Sequence, residues 1–158
     1  MSAARDRLSA FYSCTLNTTA SLVFSWRTTL SSTLFHTSPR LSLPSLAAEL
    51  GFTLLTYAFA LSNLARAVVT SLGTYETERG ISDVERRAKD DRLGFAVTLL
   101  CKAAGVYEHI AKHVVSDWDA ARQKALANGL NCPSPPDLSR EVLIGLSKCV
   151  LAPKHLRP

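Results

Sequence analysis

This sequence has no cysteine pair at CxxC spacing, no glycine-rich phosphate loop and no nucleophile elbow. Each absence removes a class of function. Cys14, Cys101, Cys132 and Cys149 stand far apart, whereas a zinc site wants two close pairs, or cysteine and histidine at ligand spacing. Small disulfide scaffolds carry cysteine at higher density, so the four are expected to be free thiols in a reducing compartment. The seven glycines are scattered and form neither GxGxxG nor GxxxxGK[ST], which leaves no cradle for a dinucleotide or a nucleoside triphosphate. The early charges Arg5, Asp6 and Arg7 are not followed by an unbroken apolar run. A secretory leader is therefore not expected, and the Asn17-Thr18-Thr19 sequon is expected to carry no glycan.

Acidic residues are missing between Arg7 and Glu49, a stretch that holds Arg27, Arg40 and many Ser and Thr. Such a composition is that of a mitochondrial transit peptide. Asp6 and the lack of a clear basic amphipathic helix speak against it, so a small mitochondrial helical protein stays an alternative. The chain has 158 residues, 47% apolar and 20% charged, enough for one folded domain and too few for two. The formal charge of +5 permits attraction to anionic membrane or nucleic acid without requiring either.

Periodicity places the elements. Residues 1–21 are weakly patterned, with a short helix at most over residues 5–14. In residues 22–43, Leu22, Phe24 and Trp26 alternate with Val23, Ser25 and Arg27, and Leu34 and Phe35 follow a polar break at Ser31-Ser32. That alternation predicts a short β-hairpin. After Pro44 a helix is expected over residues 45–72, capped by Ser45 and closed by Gly73. Leu54, Ala58, Leu61, Ala65, Val68 and Leu72 give it one face, widened by Phe52, Leu55, Phe59 and Leu64. A helix apolar on most sides is expected to be buried on most sides. Residues 50–65 could instead anchor a membrane-attached protein, but about 16 residues separate Glu49 from Arg66 where a bilayer needs roughly 20.

A charged loop over residues 75–81 leads to Ser82-Asp83-Val84-Glu85, a capping box. The helix it opens runs to Trp118 or on to Ala127. Leu93, Val97, Leu100, Ala104, Tyr107, Ala111 and Val114 repeat at alternating four and three, which predicts an antiparallel partner along its length. Pro133, Pro135 and Pro136 break the chain. Asp137 or Ser139 caps a last helix with Leu138, Val142, Leu143, Leu146 and Val150 on its apolar face, and Pro153 ends it. The expected class is mainly α: long antiparallel helices with a small N-terminal hairpin.

Chemistry finds little foothold. His109 and His113 share a helix face with Glu108, but the zincin pattern needs Glu directly after the first His, where Ile110 stands. A solvated histidine pair is the expectation. Glu85, Asp90 and Asp91 sit among Arg86, Arg87, Lys89 and Arg92; mixed signs at this spacing make a solvated face. As an RNA strip it is poor, because acids cancel bases and no exposed aromatic interleaves. No catalytic, cofactor-binding or metal-ligating residue is expected, and no nucleic-acid partner.

Three blocks resemble one known family. Ser45-Leu46-Ala47-Ala48-Glu49-Leu50-Gly51-Phe52 leading into Ala60-Leu61-Ser62-Asn63-Leu64-Ala65 is similar to the early helix of the BRO1 domain. Leu93-Gly94-Phe95-Ala96, continuing through Lys102-Ala103-Ala104-Gly105-Val106-Tyr107-Glu108, resembles its long central helix. Pro136-Asp137-Leu138-Ser139-Arg140-Glu141-Val142-Leu143, then Gly145-Leu146-Ser147, looks like its "pDLs" helix. Within the family, Trp26-Arg27-Thr28-Thr29-Leu30-Ser31 and the first helix lean towards the fungal PalC-type pH-response regulators.

The resemblance covers residues 22–152 and implies a partial BRO1-like domain, a TPR-like boomerang of packed helices. Its implied role is a cytoplasmic adaptor in ambient-pH signalling that docks the C-terminal amphipathic helix of an ESCRT-III subunit. It would thereby recruit a complex with a calpain-like protease to the plasma membrane or endosome surface. Leu61, Val68 and Leu72 are the candidate partner-binding residues; the same residue types also make a core. Where the family continues with Ala-Gln, this chain has Pro153 and a tail over residues 153–158, expected to be unstructured. The expectation is a truncated or mis-spliced product whose helices expose apolar faces and self-associate.

Overall fold

The computed structural model describes residues 23–30, 40–43, 45–77, 80–130 and 132–152. The expected helix at residues 5–14, the Asn17 sequon, Cys14, Leu22, Leu34, Phe35 and the tail at residues 153–158 lie outside the described residues.

The chain is mainly helical, with one small antiparallel hairpin. Strand β1 (Phe24–Arg27) pairs with β2 (Arg40–Leu43) in the register Phe24↔Leu43, Ser25↔Ser42, Trp26↔Leu41 and Arg27↔Arg40. Period-2 alternation turns Phe24, Trp26, Leu41 and Leu43 inward and leaves Ser25, Arg27, Arg40 and Ser42 exposed. The returning strand thus lies beyond Leu34 and Phe35, past the polar break that marked the expected hairpin.

Helix α1 (Leu46–Leu72) starts where expected: Ser45 is extended and its hydroxyl accepts the Ala48 N–H at 3.4 Å. It stops at Gly73, whose φ of 61° is a conformation other residues adopt only with strain. A 3-10 turn (Tyr75–Thr77) buries Tyr75 before α2 (Asp83–His109) begins, with the Ser82 hydroxyl accepting the Glu85 N–H at 3.2 Å. The α2 helix continues through a π turn (Ile110–Val114), where the Val115 N–H reaches back to the Ile110 carbonyl, into α3 (Val115–Ala127). Gly129, at φ 75°, follows the end of α3. Proline-rich chain then leads through a 3-10 turn (Pro136–Leu138) to α4 (Arg140–Val150). Of the two expected caps, Ser139 is the one used; its hydroxyl accepts the Val142 N–H at 3.2 Å.

Helices α1 and α2 are antiparallel. Ser71 meets Arg92, Phe59 lies edge-on to Tyr107 at 5.9 Å, and Gly51 faces Val114. The expected seam holds from Leu100 through Ala104, Tyr107 and Ala111 to Val114 and departs only at its first two positions. Ala96, Leu99, Leu100, Ala103, Ala104 and Tyr107 are buried, whereas Val97 is 36% exposed and Leu93 only half-buried. Ala96, Ala103 and Ala104 let the helix axes approach, and at the N-terminal end of the seam Ala96 and Leu99 are buried where the heptad spacing expects Leu93 and Val97. Cores form at both ends of the pair. Ala65, Val69, Ala96, Leu99 and Leu100 make the smaller one. Phe52, Leu55, Tyr107, Ile110, Trp118, Leu138 and Leu143 belong to the larger, where each large side chain contributes about 1.5–3 kcal/mol on burial.

The hairpin docks on α1 through Trp26, which stacks on Phe52 at 5.5 Å while its indole N–H donates to Glu49. Gly51 lets the 136–138 turn close in: a Cβ there would stand 3.0 Å from a Leu138 methyl. Cys101 and Cys132 are free thiols. Burial pushes the Cys132 thiol up from its ordinary value, and the Arg122 charge opposes this; Arg122 also donates to the Cys132 carbonyl at 3.0 Å.

Candidate partner-docking face

Four residues of α1, Tyr57, Leu61, Leu64 and Val68, recur at steps of four, three and four. That spacing puts them on a single flank of the helix. The buried line of α1 runs instead through Leu55, Ala58, Ala65, Val69 and Leu72. Sequence periodicity blends these two lines into one wide face and implies burial on most sides. In the fold the flank stays open: Tyr57 is 52% and Leu64 48% exposed.

The candidate contact residues divide accordingly. Leu61 and Val68 are half-buried and pack against the smaller core, with part of each side chain on the open flank. Leu72 is buried at 4% exposure and presents no surface. Tyr57 was not among the candidates, and the signal that marks it is its register with Leu61, Leu64 and Val68. On α2, Phe95 is 51% exposed one turn before Leu99, itself part of the smaller core. Together these residues form an apolar strip beside the helix seam, of a kind that amphipathic helices cover.

Polar groups around the opposite end serve structure. Glu108 accepts from Lys112 at 2.8 Å and from Ser147 at 3.3 Å, tying α2 to α4. The Lys112 hydrogen bond and charge hold the Glu108 carboxyl below its ordinary range. Burial raises the Tyr107 phenol, against an interaction with Ser62 that lowers it. The His109 and His113 rings are 5.0 Å apart on exposed helix surface. Among the described residues no group of three His, Cys, Asp or Glu could hold a metal ion. The charged start of α2 is partly paired, with Lys89 3.6 Å from Glu85 and the Tyr75 phenol donating to Asp90 at 2.7 Å. By length and composition alone, the helical spans Leu46–Thr77 and Asp83–Ala127 could each cross a membrane.

No family model matches the chain, and no solved structure matches it. A curated protein does. The chain is 34% identical over 139 residues to "pH-response regulator protein palC" of Cryptococcus neoformans var. neoformans serotype D (strain B-3501A). The alignment takes in 84% of this chain and 28% of that protein, so the chain spans well under a third of its relative's length.

Proposed function

The chain is a relative of a palC pH-response regulator, and from this we propose that it acts in ambient-pH signalling as a non-enzymatic adaptor of BRO1 type. In this reading it docks the C-terminal amphipathic helix of an ESCRT-III subunit and recruits a signalling complex, with its calpain-like protease, to the plasma membrane or endosome surface. The supporting observation is the open flank of α1, where Tyr57, Leu61, Leu64 and Val68 offer apolar anchors at helical spacing beside the seam. A helix lying along it would match those anchors with its own apolar face. The chain itself would be cytoplasmic until recruited.

Amide-correlation NMR of the labelled chain tests this, with and without an ESCRT-III C-terminal helix peptide. The expected result is dispersed peaks in which Tyr57, Leu61, Leu64 and Val68 shift on titration. A spectrum unchanged by the peptide would sink the reading.

Membrane attachment is a second reading, favoured by the length and composition of the two helical spans. Against it stands the close packing of α1 on α2 through Ala58, Ala65, Ala96 and Ala103, all without exposure. Carbonate extraction separates the two: a spanning chain stays with the membrane pellet, and an adaptor is released.

A further inference from the structure

The hairpin register sets two arginines directly against each other: Arg27 of β1 pairs with Arg40 of β2 on the solvent face. Side chains so paired have Cβ atoms about 4.5–5.5 Å apart, and like charges at that distance repel. Among the described residues neither guanidinium has an ion-pair partner. Glu49 accepts from the Trp26 indole on the inner face, and the buried Asp137 accepts the Thr29 and Leu30 amides. The neighbouring pair on the same outer face is Ser25↔Ser42, two hydroxyls beside two guanidiniums. Just beyond Arg27, Leu30 is 43% exposed.

We propose that this outer hairpin face, Arg27, Arg40, Ser25 and Ser42, is a site for the phosphate of an anionic lipid headgroup. Two guanidiniums present forked donors that match phosphate oxygens, and the serines add hydroxyl donors. A bound phosphate would remove the repulsion that the register builds in. The exposed Leu30 decides for lipid over a soluble phosphoprotein, since an apolar side chain beside paired basic ones suits a membrane interface. This contact goes beyond docking on the α1 flank and stands whether or not that docking occurs.

The test is sedimentation of the full chain with vesicles of phosphatidylcholine alone or mixed with phosphatidylserine. Capture is expected only on the anionic vesicles. It should fall about fivefold for each arginine lost in R27Q/R40Q, the worth of one basic residue near an anionic surface. R27K/R40K keeps the charge and should keep most of the capture. K102Q/K124Q removes the same charge from exposed positions of α2 and α3 and should leave capture within about twofold. Without lipid, R27Q/R40Q should melt no lower than the parent, because its repulsion is gone. Equal capture of R27Q/R40Q and parent overturns the proposal, and so does no anionic preference in the parent. Calorimetric titration with inorganic phosphate or a phosphoserine peptide forms the other arm: binding there that R27Q/R40Q loses, without vesicle capture, overturns the lipid assignment.

Discussion

Asp137 holds Thr29 across 108 positions of sequence: its Oδ1 accepts the Thr29 amide at 2.8 Å and also the Leu30 amide at 3.1 Å. The carboxyl group is wholly buried, and among the described residues its Oδ2 and the nearby buried Thr28 hydroxyl have no hydrogen-bond partner. The start of the C-terminal helical segment thus supplies the group that ends the hairpin's first strand.

Removing that acceptor strands two N–H groups in a buried place. Asp137→Ala is expected to cost about 1–3 kcal/mol, the range for leaving a buried donor without its acceptor. Asp137→Asn keeps an acceptor for the same amides and should lose only about 1 kcal/mol. Urea unfolding of both variants checks the pair; equal losses would mean the clamp is not the hydrogen bond.

On the open flank of α1, Tyr57→Ala with Leu64→Ala should change stability little and weaken capture of an ESCRT-III helix peptide by at least about tenfold, as expected for aromatic and aliphatic anchors. Leu72→Ala should do the reverse, costing about 2–5 kcal/mol of stability as a core truncation. Denaturation midpoints beside fluorescence-polarisation titrations separate the two roles.

The seam phase is testable with one overpacking change and one deletion. Ala96 has no exposure, so Ala96→Leu should destabilise by about 1–3 kcal/mol. Val97, 36% exposed, should tolerate Val97→Ala within about 0.5 kcal/mol. Thermal melts that ranked them the other way would put Val97 in the seam, where the heptad spacing expects it.

Tyr75 gives a pH signature. Its hydrogen bond to Asp90, then burial, push the phenol from 10.0 up to about 12, with the Asp90 and Glu76 charges adding and Arg86 opposing. A raised folded pKa means that the neutral phenol stabilises the fold. That contribution is complete below pH 10 and is lost as pH rises from 10 towards 12. Phenolate absorbance should show Tyr75 titrating late, and Asp90→Asn should bring that transition back down while leaving the raised Tyr107 phenol in place. Lys89, 5.8 Å over the same ring, is a further cation at this corner.

Much of the fold is legible in the sequence because local rules agree with the tertiary answer. Ser45, Gly73, Ser82 and Ser139 are used as caps and stop where the sequence places them. Trp26 faces inward by simple alternation. The misreadings have a common cause. Apolar spacing says that a side chain is apolar, not which neighbour reaches it, so Leu72, Leu61 and Leu64 look alike in sequence and differ in exposure. The π turn carries no proline or glycine to announce it. Asp137 reads as a helix cap because its partners, Thr29 and Leu30, are far away in the chain.

That distance also orders events during synthesis. A ribosome releases Thr29 108 positions before Asp137. Until Asp137 emerges, the Thr29 and Leu30 amides lack the carboxylate that closes them, and the Leu138 methyl that fills the space above Gly51 has not arrived. The nascent chain therefore carries an unlatched hairpin and an uncovered end of the helix pair while the residues between Thr29 and Asp137 are made. This is the interval in which a chaperone would find it.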